Sequence, residues 1–143
     1  MTHRGARITL ALALGAALLN APAAFGATPA PCEILPADAW SSIMGYAATA
    51  TPGDMICTYE GPQKTGGGQF RIIAIVGSSA EAEAGAKRIR DQQPRGGHNA
   101  NLGIVDSRGT VVFSIALFQD AATDSTASQL QKLVAAAKQH LPK

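Results

Sequence analysis

Cys32 and Cys57 are the only two cysteines of the chain, and a cysteine pair can bind a metal, act as a redox pair or form a structural disulfide. A zinc site needs three or four ligands at short spacing, and a redox pair needs a Cys-x-x-Cys motif; neither pattern is present. An even pair in an oxidising compartment indicates one structural disulfide. It would close a loop of about 26 residues, which the chain-entropy model equates with about 3.5 kcal/mol of stabilisation.

His98 follows two glycines in the segment RGGHN, with Arg95 at its start. An imidazole in such a loop has the right type for a binding residue or a general base. It has no His, Cys or carboxylate nearby in sequence, and no Gly-x-Ser-x-Gly motif is present. Two interpretations stay open: a solvated loop histidine, or the base of a site that only the fold assembles. The sequence predicts no metal and no cofactor.

One basic concentration runs along the second half of the chain. Its first three members crowd the end of a predicted helix, where the helix dipole favours cations in any case. The group therefore fits either a solvated helix end or a patch for an anionic partner, such as a lipid head group or an acidic envelope polymer. The members are Lys87, Arg88, Arg90, Arg95 and Arg108.

Trp40 and Tyr46 lie in and just after the first predicted helix. Aromatic side chains there either fill the core or line a pocket or partner face. Both interpretations stay open for Trp40. The candidate binding residues are Trp40, Tyr46, Arg88, Arg90, Arg95 and His98.

The elements that must position these residues follow from periodicity, caps and breakers. A capping box at residues 78–81 starts one helix, and an Asp-Ser-Arg-Gly turn at 106–109 joins the clearest hairpin. Residues 46–54, with Pro52 and Gly53, are predicted as a loop. The predicted helices are 36–44, 79–91 and 125–140, and the predicted strands are 55–59, 69–76, 102–106 and 110–118.

This order, α-β-β-α-β-β-α, predicts an α+β fold in a single domain over residues 36–143, after an extended leader at 27–35. Antiparallel hairpins with helices gathered on one face form a two-layer sandwich. We therefore expect a four-stranded antiparallel sheet with helices on one face and one disulfide. In the strand at 69–76, Phe70, Ile72, Ala74 and Val76 are expected to share a face.

Residues 1–26 have the three-part layout of a secretory signal peptide. Arg4 and Arg7 give a positive start, and small residues follow an apolar run of 12 residues at 8–19. A helix that crosses a bilayer needs about 20 apolar residues. Cleavage after Gly26, or after Ala23, predicts a periplasmic or secreted protein without a transmembrane span.

Loss of this segment removes two arginines, so Lys+Arg falls from 12 to 10 while Asp+Glu stays at 10. The mature chain is then formally neutral. A neutral chain has no net attraction to phosphate backbones, which argues against nucleic-acid binding.

The segments PCEILPADAWSSIMG and CTYEG resemble small exported actinobacterial domains of unknown function, many of them lipoproteins. Their shared pattern is a Cys before a Leu-rich helix that ends in Gly, and a second Cys followed by an aromatic residue. Cys32, Leu35, Gly45, Cys57 and Tyr59 occupy those positions over about 30 residues. The resemblance implies a related fold and disulfide, and its members look like sensor or binding domains. Pro31 before Cys32 argues against the lipid anchor.

Together these patterns favour an exported binding or interaction module over an enzyme. Its partner would be an envelope protein, a cell-wall fragment or an anionic envelope polymer. Two alternatives remain: a small envelope hydrolase with a site assembled around His98, and a structural subunit that pairs through an exposed strand edge.

Overall fold

The computed structural model describes residues 29–62, 66–93, 101–118 and 124–143. These parts of the chain form one antiparallel sheet of five strands together with four helices, which confirms the α+β class. The predicted signal peptide lies outside the described residues. The strands are β1 (Thr49–Gly53), β2 (Ile56–Glu60), β3 (Gly67–Ile75), β4 (Asn101–Arg108) and β5 (Val111–Phe118).

The three predicted helices are present, and a fourth precedes them. Pro36 and Gly45, the latter with φ of 79°, bound the first predicted helix as its caps, and the Ser78 hydroxyl accepts from the amide of Glu81 at the start of the second. The additional helix is a single turn inside the leader that we expected to be extended, and Pro31 suits its first position. The helices are α1 (Pro31–Ile34), α2 (Ala37–Met44), α3 (Ser79–Gln92) and α4 (Asp124–His140).

The prediction of four strands is wrong because residues 49–53 form the edge strand β1 instead of a loop. Pro52 and Gly53 are typical of turns, but proline is tolerated in an edge strand, where no neighbour needs its missing N–H. Ala50 packs against the core, and Pro52 pairs with Cys57. The observed order is therefore α-α-β-β-β-α-β-β-α.

The strands lie in the order β1-β2-β3-β5-β4, so α3 connects two parallel strands that have β5 between them. Val111 belongs to the core formed by α1, α2 and α4, whereas Val112 packs with Ala82 and Ala86 of α3. Successive residues of a strand point to opposite faces. The prediction that all helices share one face is therefore wrong: α3 covers the face opposite to the others.

We call these two apolar clusters the main core and the α3 layer. The α3 layer consists of Ala82, Ala86, Val105 and Val112. The main core consists of Ile34, Leu35, Trp40, Met44, Cys57, Tyr59, Phe70, Ile72, Val111, Phe113, Ile115, Leu117, Leu130, Leu133, Val134, Ala137 and Leu141.

An irregularity in β3 divides that strand between the two clusters. Its pairing with β5 shifts between Ile72 and Ala74, so Ile73 is an extra residue in the ladder. Such a bulge breaks the simple alternation of side chains. Phe70 and Ile72 therefore lie in the main core, while Ala74 and Val76 pack against the α3 layer, contrary to the expectation of one shared face.

The β4–β5 hairpin is present, but its turn lies two residues later than the predicted one. Arg108 pairs with Val111, which leaves Gly109 and Thr110 as a two-residue turn. Gly109 has a φ of 53°, a conformation that glycine adopts easily at the first central position of a tight hairpin. Among the helices of the described residues, none is long and apolar enough to cross a membrane.

Candidate functional site

Cys32 and Cys57 form the expected disulfide, with their Cα atoms 5.1 Å apart. It links α1 to β2, next to Ile34 and Leu35, the first residues of the main core along the chain. Cys57 is fully buried and Cys32 is half-buried. The bond therefore acts as a structural clamp on the aromatic part of the core.

Trp40 is fully buried, so its ring has no surface to offer a partner in this conformation. It stacks on Tyr59 with ring centroids 4.1 Å apart, and its indole N–H donates to the hydroxyl of half-buried Tyr46 over 3.1 Å. Gly68 makes this packing possible, because a Cβ there would lie 2.5 Å from the Trp40 ring. The structure thus places Trp40 and Tyr46 together as one packed cluster.

Tyr59 donates its hydroxyl to the main-chain carbonyl of Leu35, which joins β2 to the residue that follows α1. Burial raises the pKa of the Tyr59 hydroxyl above its usual value. The cause is desolvation, which disfavours the charged phenolate. Tyr59 is therefore a neutral donor and structural tie, not an acid or base at moderate pH.

Of the basic residues predicted to form a patch, Lys87 and Arg90 form ion pairs within the described residues, whereas Nε of Arg108 is buried without a hydrogen-bond partner there. A cleft of about 590 Å³ beside β4 brings together charges from α3, β4 and α4. Lys138 Nζ lies 2.6 Å from an Asp106 carboxylate oxygen, and Arg90 Nη1 lies 3.9 Å from the other oxygen and donates to the carbonyl of Val105. Lys87 pairs with Asp91. These contacts leave this cleft with mixed rather than strongly positive charge.

Of the other predicted binding residues, Arg88 is exposed on α3. Arg95 and His98 lie outside the described residues, so their predicted binding role and the predicted hydrolase site remain predictions. Asn101, the first described residue after that stretch, pairs with Phe118.

A second cleft, of about 400 Å³, lies at this end of the sheet, and we call it the Phe118 cleft. Glu60 of β2 pairs with Gly67 of β3, and Gly67 pairs with Phe118 of β5, so these three residues form one row across three strands. The row faces away from the main core, because the adjacent residues Tyr59, Gly68 and Leu117 form the next, inward row. The lining residues are Thr58, Tyr59, Glu60, Gly66, Gly67 and Phe118.

The Phe118 cleft was missed by sequence reasoning, although one signal was available. The inward alternation of Val111, Phe113 and their neighbours in β5 puts Phe118 on the outward side, where a large aromatic side chain is unexpected. Phe118 is 40% exposed. Strand pairing brings Glu60 and Gly67 beside Phe118, and no sequence motif indicates that these residues are neighbours.

No cluster of three or more potential metal ligands occurs within the described ranges. No family model matches the chain, and no similar protein is found among curated proteins or solved structures.

Proposed function

We propose that the protein is an exported binding module that holds part of an envelope protein or a cell-wall fragment in the Phe118 cleft, without chemical turnover. The observation that carries this proposal is the 40% exposure of Phe118 in a concave site of about 400 Å³. Small-molecule sites commonly have volumes of about 300–1,000 Å³. A half-exposed aromatic ring in such a site loses apolar surface to water when a ligand covers it.

The polar groups of the cleft support a binding role. Thr58 and Glu60 line the cleft together with Phe118, and Gly66 and Gly67 contribute main chain to it. Binding sites of this kind combine apolar surface with a few polar groups that orient the ligand. A group with one apolar face and a polar end therefore matches the cleft.

Export is supported by two features. The disulfide between Cys32 and Cys57 persists in oxidising compartments and is rare in reducing ones. The start of the chain, with Arg4 and Arg7 before an apolar run, has the pattern of a signal peptide. A periplasmic or secreted protein meets cell-wall fragments and envelope proteins directly.

The test is a titration of the oxidised, processed protein with purified soluble cell-wall fragments, monitored by amide chemical shifts. We expect saturable shifts at Thr58, Glu60 and Gly67. Phe118→Ala should weaken binding by about tenfold, which corresponds to about 1.4 kcal/mol. Ile75→Ala is the matched control, because Ile75 is 50% exposed but lies outside the cleft lining.

Defined envelope proteins form the second arm of the same experiment, with the same two variants. Binding that is unaffected by Phe118→Ala would place the ligand elsewhere on the protein. Release of hydrolysis products from any fragment during the titration would contradict the absence of turnover and return attention to His98.

A further inference from the structure

The structure points to an organic cation on an unbranched aliphatic stem as the group that the Phe118 cleft binds. We infer this from the charge and spacing of the cleft walls. The inference rests on the proposed function, because it specifies the ligand chemistry of the same site.

The row of Glu60, Gly67 and Phe118 forms a slot with two unlike walls. Neighbouring strands lie about 4.8 Å apart, so the backbones that carry Glu60 and Phe118 are about 9.6 Å apart. Between them, Gly67 has no side chain, and a Cβ there would lie 2.5 Å from the carbonyl oxygen of Tyr59, so main chain forms the floor of the slot. The slot therefore accepts a narrow group that contacts both walls at once.

The two walls have complementary properties for a cation. A phenyl ring attracts a cation that lies within about 6 Å of its centroid, and the Phe118 side chain forms one wall of the slot. On the opposite wall, the Glu60 carboxylate supplies a full negative charge. A cation is attracted by both walls, and more strongly than a neutral donor is.

Charge in the cleft also excludes an anion. Glu60 is the single charged side chain of the lining and forms no ion pair within the described residues. An anion would be repelled by this carboxylate, and a neutral group would be attracted to it less strongly than a cation. Thr58, on the same strand face two residues away, offers a hydroxyl oxygen that accepts from an N–H group.

The experiment compares four small probes of similar length: n-butylammonium, n-butylguanidinium, n-pentanol and butyrate. Each is titrated into the oxidised, processed protein at low salt and followed by the amide shifts of the cleft residues. We expect the two cations to bind at least about fivefold more tightly than n-pentanol, and butyrate to show no saturable shift. The ratio of the two cations distinguishes an ammonium ligand from a guanidinium ligand.

Two variants assign the effect to the walls. Glu60→Gln should reduce cation binding by about fivefold and leave n-pentanol unchanged. Phe118→Leu retains apolar volume but removes the ring, so it should reduce cation binding by about threefold. Glu83→Gln, an exposed carboxylate on α3 outside the cleft, is the matched control and should change neither. Melting temperatures confirm that each variant is folded.

Equal binding of n-pentanol and the cations, or unchanged cation binding in Glu60→Gln, would overturn the inference. The inference is also overturned if no probe binds while a cell-wall fragment still binds in a way that depends on Phe118. In that case the proposed function stands and only the cation ligand is wrong. If neither probes nor fragments shift the cleft residues, both proposals fail.

Discussion

The two faces of the sheet are covered in different ways. On one face, the main core combines large aromatic and aliphatic side chains with the Cys32–Cys57 disulfide. On the other, the α3 layer contains two alanines and two valines, and the charged side chains of Arg90 and Lys138 meet at Asp106 beside it. The first face is stabilised by a large buried apolar area and by the disulfide. The second is stabilised by the close approach of α3 and by ion pairs between partly exposed side chains.

This difference explains where the open cleft lies. Alanines allow α3 to approach the sheet closely, but they bury little apolar area, and the helix covers only the region around Val105 and Val112. An α3 of 14 residues is about 21 Å long at about 1.5 Å per residue. The remainder of that face, including Phe118, has no helix over it within the described residues. Stability and exposed surface thus belong to opposite faces.

The strongest test of the comparison removes one large side chain from each cluster. Trp40→Ala should lower the free energy of unfolding by about 3–5 kcal/mol, because it leaves a large cavity beside Tyr59. Ile89→Ala on α3 removes a half-buried side chain and should cost about 1 kcal/mol. Urea denaturation of both variants gives the two values, and equal losses would contradict the division of stability between the faces.

Removal of the disulfide tests the covalent part of the main core. The double variant with Cys32→Ala and Cys57→Ala should lose about 3.5 kcal/mol, because the unfolded chain regains the freedom of the closed loop. Thermal melting of the oxidised protein, the reduced protein and the double variant measures the effect. An unchanged melting temperature after reduction would show that the clamp contributes nothing.

A matched pair of glycines compares the same substitution on the two faces. A Cβ at Gly68 would clash with the carbonyl oxygen of Ala116 and lie 2.5 Å from Trp40, so Gly68→Ala should cost about 1–3 kcal/mol. At Gly103 the nearest atom is 3.5 Å away, and Gly103→Ala should stay within about 0.5 kcal/mol of the parent. Chemical denaturation separates them, and a reversed order would refute the close approach of Trp40.

The ionisation of Tyr59 makes the contribution of the main core to the free energy of unfolding depend on pH. Burial raises the pKa of the Tyr59 hydroxyl in the folded protein, whereas in the unfolded chain this pKa is about 10. Above that pH the unfolded state loses a proton that the folded state retains, so the free energy of unfolding falls as pH rises. Tyr59→Phe should cost about 1–2 kcal/mol at pH 7, because it leaves the Leu35 carbonyl without its donor. Tyr59→Phe should also make the free energy of unfolding fall less steeply above about pH 10. If the fall is unchanged in this variant, groups other than Tyr59 cause it.

The smallest effect is expected at the edge of β4, where Asp106 pairs with Arg90 of α3 and Lys138 of α4. Asp106→Asn weakens the contacts with Lys138 and Arg90, whose side chains are 36% and 46% exposed. Solvent screens such pairs, so the loss should be about 0.5–1 kcal/mol and should shrink at high salt. A loss as large as that of the disulfide variant would mean that the edge of β4 is a second anchor of the fold.

Much of the local structure was predictable from the sequence, because its signals lie within a few residues. Pro36 and Gly45 mark the ends of α2, Ser78 caps α3, and alternating apolar residues identify β5. The disulfide was predictable because two cysteines allow one pairing. The edge strand β1 was not, because Pro52 and Gly53 are typical of turns and only pairing with β2 makes them a strand.

The sequence by itself therefore determined the three longer helices, the strong strands, the disulfide and the α+β class of this protein. Tertiary structure alone decided which face α3 covers, where β3 changes faces at Ile73, and that Glu60, Gly67 and Phe118 form one row. The physical reason is the separation along the sequence over which each kind of interaction acts. Caps and periodicity act over one or two turns of chain, whereas strand register joins residues that are distant in sequence and is fixed by the packing of the whole sheet.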